Sequence, residues 1–267
     1  METLRTIKAE LLKNFKHSFF TNFMLFFNLM LPFGLGLTYY FIYLPFPHEI
    51  LNVQGFKMPL LDFTVAGQII YLLFVNMILI GSYFTEERFQ GTLETIFLTP
   101  CNRFALLLGG SLAGLINYFW FILGLTSVVF FLDIEPKICS LSAVFLSLGL
   151  AVLSTIVMGM LFQVFFVSSR RGNMWATVFQ EPVIFISGIV FPLQYAPRFI
   201  RMLAYGVPLS YSVLAFRASV FAAATVSQLS TIFILLGGLT ISYSIATVYC
   251  MRSVDIKLRR DGTLQLF

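Results

Sequence analysis

Few residues in this chain could do chemistry, and the motifs they approach are incomplete. His48 and Glu49 begin like a zinc-binding helix, but Asn52 stands where a second histidine would have to hold the metal. Ser111 directly follows Gly110, one position too early for a nucleophilic serine on a strand-to-helix turn. No lysine follows a glycine, so the loop that cradles phosphates in ATPases is missing. The sequence therefore predicts no catalytic residue, no metal site and no cofactor in this chain.

A charged stretch between residues 86 and 100 has the features of a docking site for another protein. Four charges occur within nine positions, at Glu86, Glu87, Arg88 and Glu94. Apolar residues recur there about once per helical turn, which predicts a short helix ending before Pro100. The apolar face of this helix consists of Phe89, Leu93, Ile96 and Phe97. Gly91 has no Cβ and would let a neighbouring backbone approach closely.

The composition is that of an integral membrane protein. Of 267 residues, 58% are apolar and only 11% are charged, whereas soluble domains carry about 25% charged residues. A chain with this composition could not keep so much apolar surface away from water. The net charge of +5 comes from basic residues that flank apolar segments. It therefore predicts orientation in a bilayer rather than a nucleic-acid partner.

Six apolar segments reach the length of about 20 residues that a membrane-spanning helix needs. They are residues 19–43, 63–84, 104–132, 138–167, 173–193 and 226–251. Basic residues are concentrated on the side that holds both termini and residues 86–100, and the positive-inside rule makes that side the cytoplasm. We therefore predict one all-α polytopic transmembrane domain over residues 1–267. Spans one to five occupy residues 19–193, and residues 252–267 form a cytoplasmic tail.

The N-terminal residues 1–18 predict an amphipathic helix. Its apolar stripe contains Leu4, Ile7, Leu11 and Phe15, and its basic residues Arg5, Lys8, Lys13 and Lys16 lie mostly off that stripe. Such a helix is expected to lie in the membrane interface, with its lysines towards lipid headgroups. A soluble helix that packs on a partner protein is the alternative.

Residues 194–225 predict a re-entrant helical hairpin at the outer face. Pro197 and Gly206 carry start and stop signals for a helix of roughly 14 Å, which is too short to span. Arg217 lies in the middle of the next piece, where a charge at the bilayer centre would be costly. Both pieces are therefore expected to enter from outside and return. The preceding outer loop, residues 44–62, contains three prolines and is expected to be irregular.

Glu181 is the one charged side chain within a predicted span, where it precedes Pro182. Ionisable residues at such depth usually face a cavity or a polar partner. Glu181 could contact substrate or relay protons. It could instead be protonated, or hydrogen-bonded to Gln163, Gln180 or a neighbouring backbone group, and only shape a kink at Pro182. Both interpretations stay open at this stage.

Two stretches resemble the permease subunits of type 2 ABC exporters. One is Glu-Glu-Arg-x-x-Gly-Thr-Leu-Glu with a later Leu-Thr-Pro, at residues 86–100. The other, at residues 187–217, contains Ser-Gly-x-x-Phe-Pro-Leu, Pro-Arg, Pro-Leu-Ser-Tyr and Phe-Arg. The resemblance implies that an ATPase couples to Glu86, Glu87, Arg88, Gly91, Thr92, Leu93 and Glu94. The candidates for a substrate path or gate are Glu181, Phe191, Pro192 and Arg217.

The resemblance implies the membrane half of an ATP-driven exporter in a bacterial inner membrane, with both termini cytoplasmic. A second permease copy, identical or related, would complete the path, and membrane lipid would surround it. Separate ABC ATPase subunits would hold ATP and Mg. The implied substrate is amphipathic, lipid-linked, glycan or drug-like. An ion-coupled secondary transporter using Glu181 is the alternative, although the sequence shows no internal repeat. A third interpretation, a membrane scaffold protein that transports nothing, also stays open.

Overall fold

A computed structural model describes residues 2–19, 22–43, 50–91, 102–131, 134, 136–168 and 172–261. Its first helices are α1 (Glu2–Phe19), α2 (Asn22–Tyr43), α3 (Leu60–Phe89), α4 (Arg103–Phe131) and α5 (Leu141–Ser168). The later helices are α6 (Gly172–Ile186), α7 (Arg198–Gly206), α8 (Pro208–Phe221) and α9 (Val226–Asp261). Two short strands, β1 (Ile50–Val53) and β2 (Phe56–Pro59), precede α3. The helical architecture agrees with the predicted polytopic membrane protein.

Four helices in the described part of the chain are long and apolar enough to cross a membrane. Their apolar segments are Leu60–Leu79 in α3, Arg103–Ser127 in α4, Leu141–Phe166 in α5 and Val226–Ile256 in α9. The bent pair α7 and α8 would make a fifth if it counts as one span. The apolar parts of α2 and α6, Leu29–Ile42 and Met174–Ile186, are shorter. The predicted count of six spans is therefore not confirmed.

Helix α3 is the centre of the bundle, and α9 lies at its edge. In α3, 89% of the most apolar stretch is buried, against 17% in α9. The reason is that α3 packs against α4, α5, α6 and α8, whereas α9 packs mainly on α5 and α8. In a membrane an exposed apolar face can meet lipid or another subunit. Helix α3 therefore contacts most of the other helices of the bundle.

Buried polar side chains pair across the helices. The hydroxyl groups of Ser154 and Ser212 lie 2.9 Å apart and join α5 to α8. The amide of Gln163 donates to the hydroxyl of Ser111 at 3.0 Å and joins α5 to α4. Such bonds between membrane helices contribute about 0.6 kcal/mol each on average. They fix the relative rotation of helices whose remaining contacts are apolar.

The segment before α3 forms a β-hairpin over residues 50–59. The prediction of irregular structure is therefore wrong for these residues. Strands β1 and β2 are antiparallel, with Ile50 opposite Pro59. Gln54 and Gly55 have φ angles of 52° and 92°, and two positive φ angles are typical of a two-residue hairpin turn. Pro59 is tolerated because it ends its strand. Residues 44–49 lie outside the described residues.

Helices α7 and α8, the two pieces of the predicted re-entrant hairpin, meet in a right-angled elbow. The predicted bounds of α7 are confirmed, because it begins after Pro197 and ends at Gly206. The angle between the two helices is 89°. Twelve of the 14 residues of α8 are buried among α3, α5 and α9, whereas α7 exposes Phe199 and Met202. The physical reason for the elbow is this burial, since α8 fills the interior of the bundle.

Candidate functional site

The predicted site residues lie at opposite ends of α3. Phe63, in the first turn, contacts Arg217, and Glu87 lies close to the last residue of the helix. With a rise of 1.5 Å per residue, these two positions are about 36 Å apart along the helix axis. The two regions are called the Arg217 end and the Glu87 end below. No single site therefore holds both groups of predicted residues.

At the Glu87 end, α3 continues unbroken to Phe89, so no separate helix begins at Glu86. Nothing breaks the helix before Gly91, whose φ of 72° is the left-handed conformation common just after helix ends. A Cβ at Gly91 would meet nothing within 4 Å among the described atoms. Gly91 therefore suits the end of α3, and the predicted close approach of a backbone is not observed among the described residues. The predicted coupling residues Thr92, Leu93 and Glu94 lie outside the described residues.

Glu87 is held by Lys13 of α1. The Nζ atom of Lys13 lies 3.1 Å from Oε1 of Glu87 and 2.9 Å from Oε1 of Glu10. Burial lowers the pKa of the Lys13 ammonium, but the two carboxylates outweigh burial, and the net pKa is raised above its ordinary value. Lys13 thus stays charged and bridges α1 to the end of α3.

Helix α1 packs against α4. At Gly109 the two helices come so close that a Cβ there would lie 2.9 Å from Cβ of Glu10. Small residues let helix backbones approach in this way. The predicted amphipathic helix is confirmed as a helix, and its Leu4 and Leu12 remain exposed in the single chain. Its protein contacts connect Lys13, and through it Glu87, to a second spanning helix.

At the Arg217 end, one guanidinium binds three backbone carbonyl groups. Nε donates to the oxygen of Phe63 at 2.7 Å, Nη1 to Gly188 at 2.7 Å and Nη2 to Ile189 at 2.6 Å. The side chain is only 3% exposed, and its Cζ lies 3.5 Å from the ring centroid of Phe63. Arg217 therefore ties α8 to the start of α3 and to the turn that follows α6.

Two glycines make room for this arrangement. Gly188 has a φ of 67°, and a Cβ there would lie 2.6 Å from Cγ of Leu193. The turn at Gly188 ends α6 at Ile186, so the fifth span predicted to reach residue 193 is shorter than expected. On α3, a Cβ at Gly67 would collide with Nη2 of Arg217 and lie 2.9 Å from the oxygen of Ile189. Both positions therefore exclude larger residues.

A pocket opens beside Arg217, with about 500 Å³ of atom-free space that includes its solvent-open part. Ser187, Pro192 and Ser210 belong to its walls, together with Gln194 and Tyr211. Pro192 and Arg217, two predicted path residues, therefore share this pocket. Phe191 is absent from its walls, and its ring instead faces that of Phe185 at a centroid distance of 6.4 Å.

These features can be set beside known protein families. The family model described as ABC-2 type transporter matches residues 5–221, which include both the charged stretch and the Arg217 end. The chain belongs to the ABC-2 type transporter family. A search of curated proteins found none that matches it. The family resemblance stated from the sequence is thus confirmed.

As an ABC-2 permease, the chain is the transmembrane component of an ABC transporter and an integral membrane protein. In this family ATP hydrolysis takes place on a separate subunit. The chain contributes the helices, the Glu87 end and the Arg217 end described above.

Glu181 of this ABC-2 permease lies on an exposed face of α6, about 13 Å along the helix from Gly172. The exposed apolar residues of α6 are Met174, Trp175, Val178 and Phe185. Neither suggested amide binds Glu181: Gln163 donates to Ser111, and Gln180 donates to the hydroxyl of Tyr71 at 3.3 Å. The hydrogen bonds suggested from these two amides are therefore not formed, and the structural interpretation of Glu181 depends on protonation or a backbone partner.

Sequence reasoning named Arg217 but missed its contact with Phe63 of α3. Phe63 and Arg217 are 154 positions apart, and no local pattern connects them. The Ser187-Gly188 pair before Pro192 was a usable sign that α6 stops early. The ion pair between Lys13 and Glu87 had no comparable sign, because both residues belong to stretches rich in charge.

Proposed function

We propose that this chain is the membrane subunit of an ATP-driven exporter in a bacterial inner membrane. Two permease copies form the path, and separate ABC ATPase subunits hold ATP and Mg and dock on the stretch from Glu86 to Glu94. The substrate is amphipathic, lipid-linked, glycan or drug-like. Family membership supports the transporter assignment, and the geometry of the Glu87 end supports the coupling role.

The observation that carries the proposal is the connection of Glu87 to the most buried helix of the bundle. A force applied at the Glu87 end acts directly on α3, which packs against α2, α4, α5, α6 and α8. Close-packed protein interiors are barely compressible and transmit such displacements. The bridge from Lys13 carries part of the force into α1 and α4. An ATPase docked there would therefore move the bundle rather than a loose loop.

The exposed face of α6 is the proposed boundary of the transport path. An ionisable carboxyl group that faces lipid at this depth is costly. Glu181 therefore faces the path between the two permease copies, where polar groups and water can accompany it. The same face carries Trp175 and Phe185, so it combines aromatic surface with one carboxyl group. This combination suits an amphipathic substrate.

The orientation proposal places both termini and the Glu87 end in the cytoplasm. Cys139 is exposed between α4 and α5, and Cys250 lies in α9 towards its C-terminal end. An impermeant thiol reagent applied to intact cells should label Cys139, whereas Cys250 should react only after permeabilisation. Labelling of Cys250 alone in intact cells, with both sites reactive after permeabilisation, would reverse the orientation.

The coupling role is tested by replacing Glu87 and Glu94 together with lysine, which reverses the charge at both positions. Transport should fall strongly, and less ATPase should co-purify, while the permease is still made and inserted. Arg252→Glu, an exposed charge reversal near the C-terminal end of α9, is the matched control and should leave both readouts unchanged. The purified permease alone should hydrolyse no ATP. Normal transport and co-purification in the double variant would show that the ATPase docks elsewhere.

A further inference from the structure

Arg217 is a buried charge that lacks a counter-charge within the described residues. Its three hydrogen bonds go to neutral carbonyl groups, and no carboxylate of the described chain lies within ion-pair distance. Buried charges are normally paired, because desolvation is expensive. A guanidinium has five N–H groups, so one on each Nη atom remains for another acceptor.

Two further donors in the same pocket lack partners. Ser187 is 1% exposed and Ser210 is 7% exposed, and the hydroxyl oxygen of each has no hydrogen-bond partner in the described structure. Leaving a buried hydroxyl unpaired costs about 1–3 kcal/mol. Both serines belong to the walls of the pocket that Arg217 lines. They can rotate their hydroxyl groups towards a ligand there.

The other groups around the pocket also favour a negatively charged ligand. Ser210 lies in the first turn of α8, where the positive end of the helix dipole attracts anions. Among the residues that line the pocket, Arg217 is the charged one, and no acidic side chain opposes it. The guanidinium and the helix N-terminus therefore favour an anion, and the two hydroxyl groups can donate hydrogen bonds to it.

We propose that the pocket formed by Arg217, Ser187 and Ser210 binds a phosphate-type anion. The pocket is open on one side, so a phosphate group bound there can carry a substituent that extends outwards. The group can come from free phosphate or from a phospholipid headgroup. Helix α7, which contributes Tyr205 to the pocket and exposes Phe199 beside basic residues, is suited to the lipid interface.

The test uses the full chain purified in a neutral, phosphate-free detergent. Inorganic phosphate and short-chain phosphatidylglycerol are titrated separately at constant ionic strength, with chloride replacing the ligand in the blank. Binding is measured by calorimetry and by the shift in melting temperature. The wild type should show saturable binding to at least one of the two ligands.

The decisive variant is Ser187→Ala with Ser210→Ala. Since neither hydroxyl has a partner, this variant should fold normally, and its affinity should fall at least tenfold. The control is Ser154→Ala with Ser212→Ala, which removes a paired hydroxyl bond that also involves α8. This control should lower the melting temperature and keep its affinity within twofold of the wild type. Arg217 itself is unsuitable as the only test, because its replacement disturbs the fold.

The outcomes separate the two sources of the anion. Binding of both ligands, each weakened in the decisive variant, assigns the site to the phosphate group itself. Binding of phosphatidylglycerol alone assigns it to a lipid headgroup, and binding of phosphate alone to the free anion. Absence of saturable binding to either ligand, or wild-type affinity in the decisive variant, overturns the proposal. No ATPase takes part, so either result leaves the proposed coupling role to its own experiment.

Discussion

The guanidinium of Arg217 lies 3.5 Å above the ring centroid of Phe63 and donates its Nε–H to the carbonyl oxygen of the same residue at 2.7 Å. One residue of α3 thus provides both a stacking surface and a hydrogen-bond acceptor. The other two N–H bonds reach Gly188 and Ile189 after α6. A single side chain therefore joins three segments at one end of the bundle.

Replacing Arg217 by lysine should destabilise the permease although the charge is kept. An ammonium group lacks the planar fork that reaches several acceptors and stacks on a ring. Loss of two of the three bonds would leave buried carbonyl groups unpaired and lower the free energy of unfolding by about 2–4 kcal/mol. Denaturation in detergent measures this, with Arg201→Lys on exposed α7 as the control. Equal stability of the two variants would contradict the anchoring role of Arg217.

Gly67→Ala should disturb the same Arg217 contacts from α3. The added Cβ would meet Nη2 of Arg217 and the oxygen of Ile189, so the guanidinium must move. Overpacking of this kind costs about 1–3 kcal/mol. Gly149→Ala in α5 is the control, because its Cβ would meet nothing within 4 Å. The control should be neutral or up to about 1 kcal/mol more stable through helix propensity. A melting temperature that is unchanged in Gly67→Ala would argue against the close contact.

The bridge between Lys13 and Glu87 should matter more for coupling than for stability. A partly exposed ion pair contributes only about 0.2–1 kcal/mol. In Lys13→Met and in Glu87→Gln we expect near-normal stability and fewer substrate molecules moved per ATP hydrolysed. The double variant should be no worse than either single variant, because both changes remove one interaction.

The matched control for this bridge is the ion pair of Arg103 and Asp255, whose Nε and Oδ1 atoms lie 3.7 Å apart. This pair joins α4 to α9. Arg103→Met should therefore keep the ratio of transport to hydrolysis. If the effects of Lys13→Met and Glu87→Gln simply add, the two residues act separately and the bridge transmits no force.

Glu181→Gln should reduce transport while expression and stability remain normal. Gln keeps the size of the side chain but removes its charge. If Glu181 acts through its charge, the Gln variant loses that role, and the dependence of transport on pH should change. Val178→Leu, an apolar change on the same face of α6, is the control and should transport normally. Wild-type transport by the Gln variant across the pH range would assign Glu181 a structural role only.

Local patterns predicted some elements correctly. Proline and glycine signals placed α7 between Pro197 and Gly206, because these residues restrict the backbone wherever they occur. The long apolar runs predicted the spanning segments of α3, α4, α5 and α9 for the same local reason. The short helix predicted over residues 86–100 stays a prediction, because residues 92–100 lie outside the described residues; what the structure shows is that its first residues, to Phe89, belong to α3.

The sequence alone determined that this is a helical membrane protein, because composition and the length of apolar runs depend on each stretch separately. The tertiary structure decided which groups meet: Lys13 with Glu87, and Arg217 with Phe63, Gly188 and Ile189. It also decided that α8 turns inward at a right angle. These relationships join segments far apart in the chain, and the packing of whole helices selects the acceptor that each charge reaches.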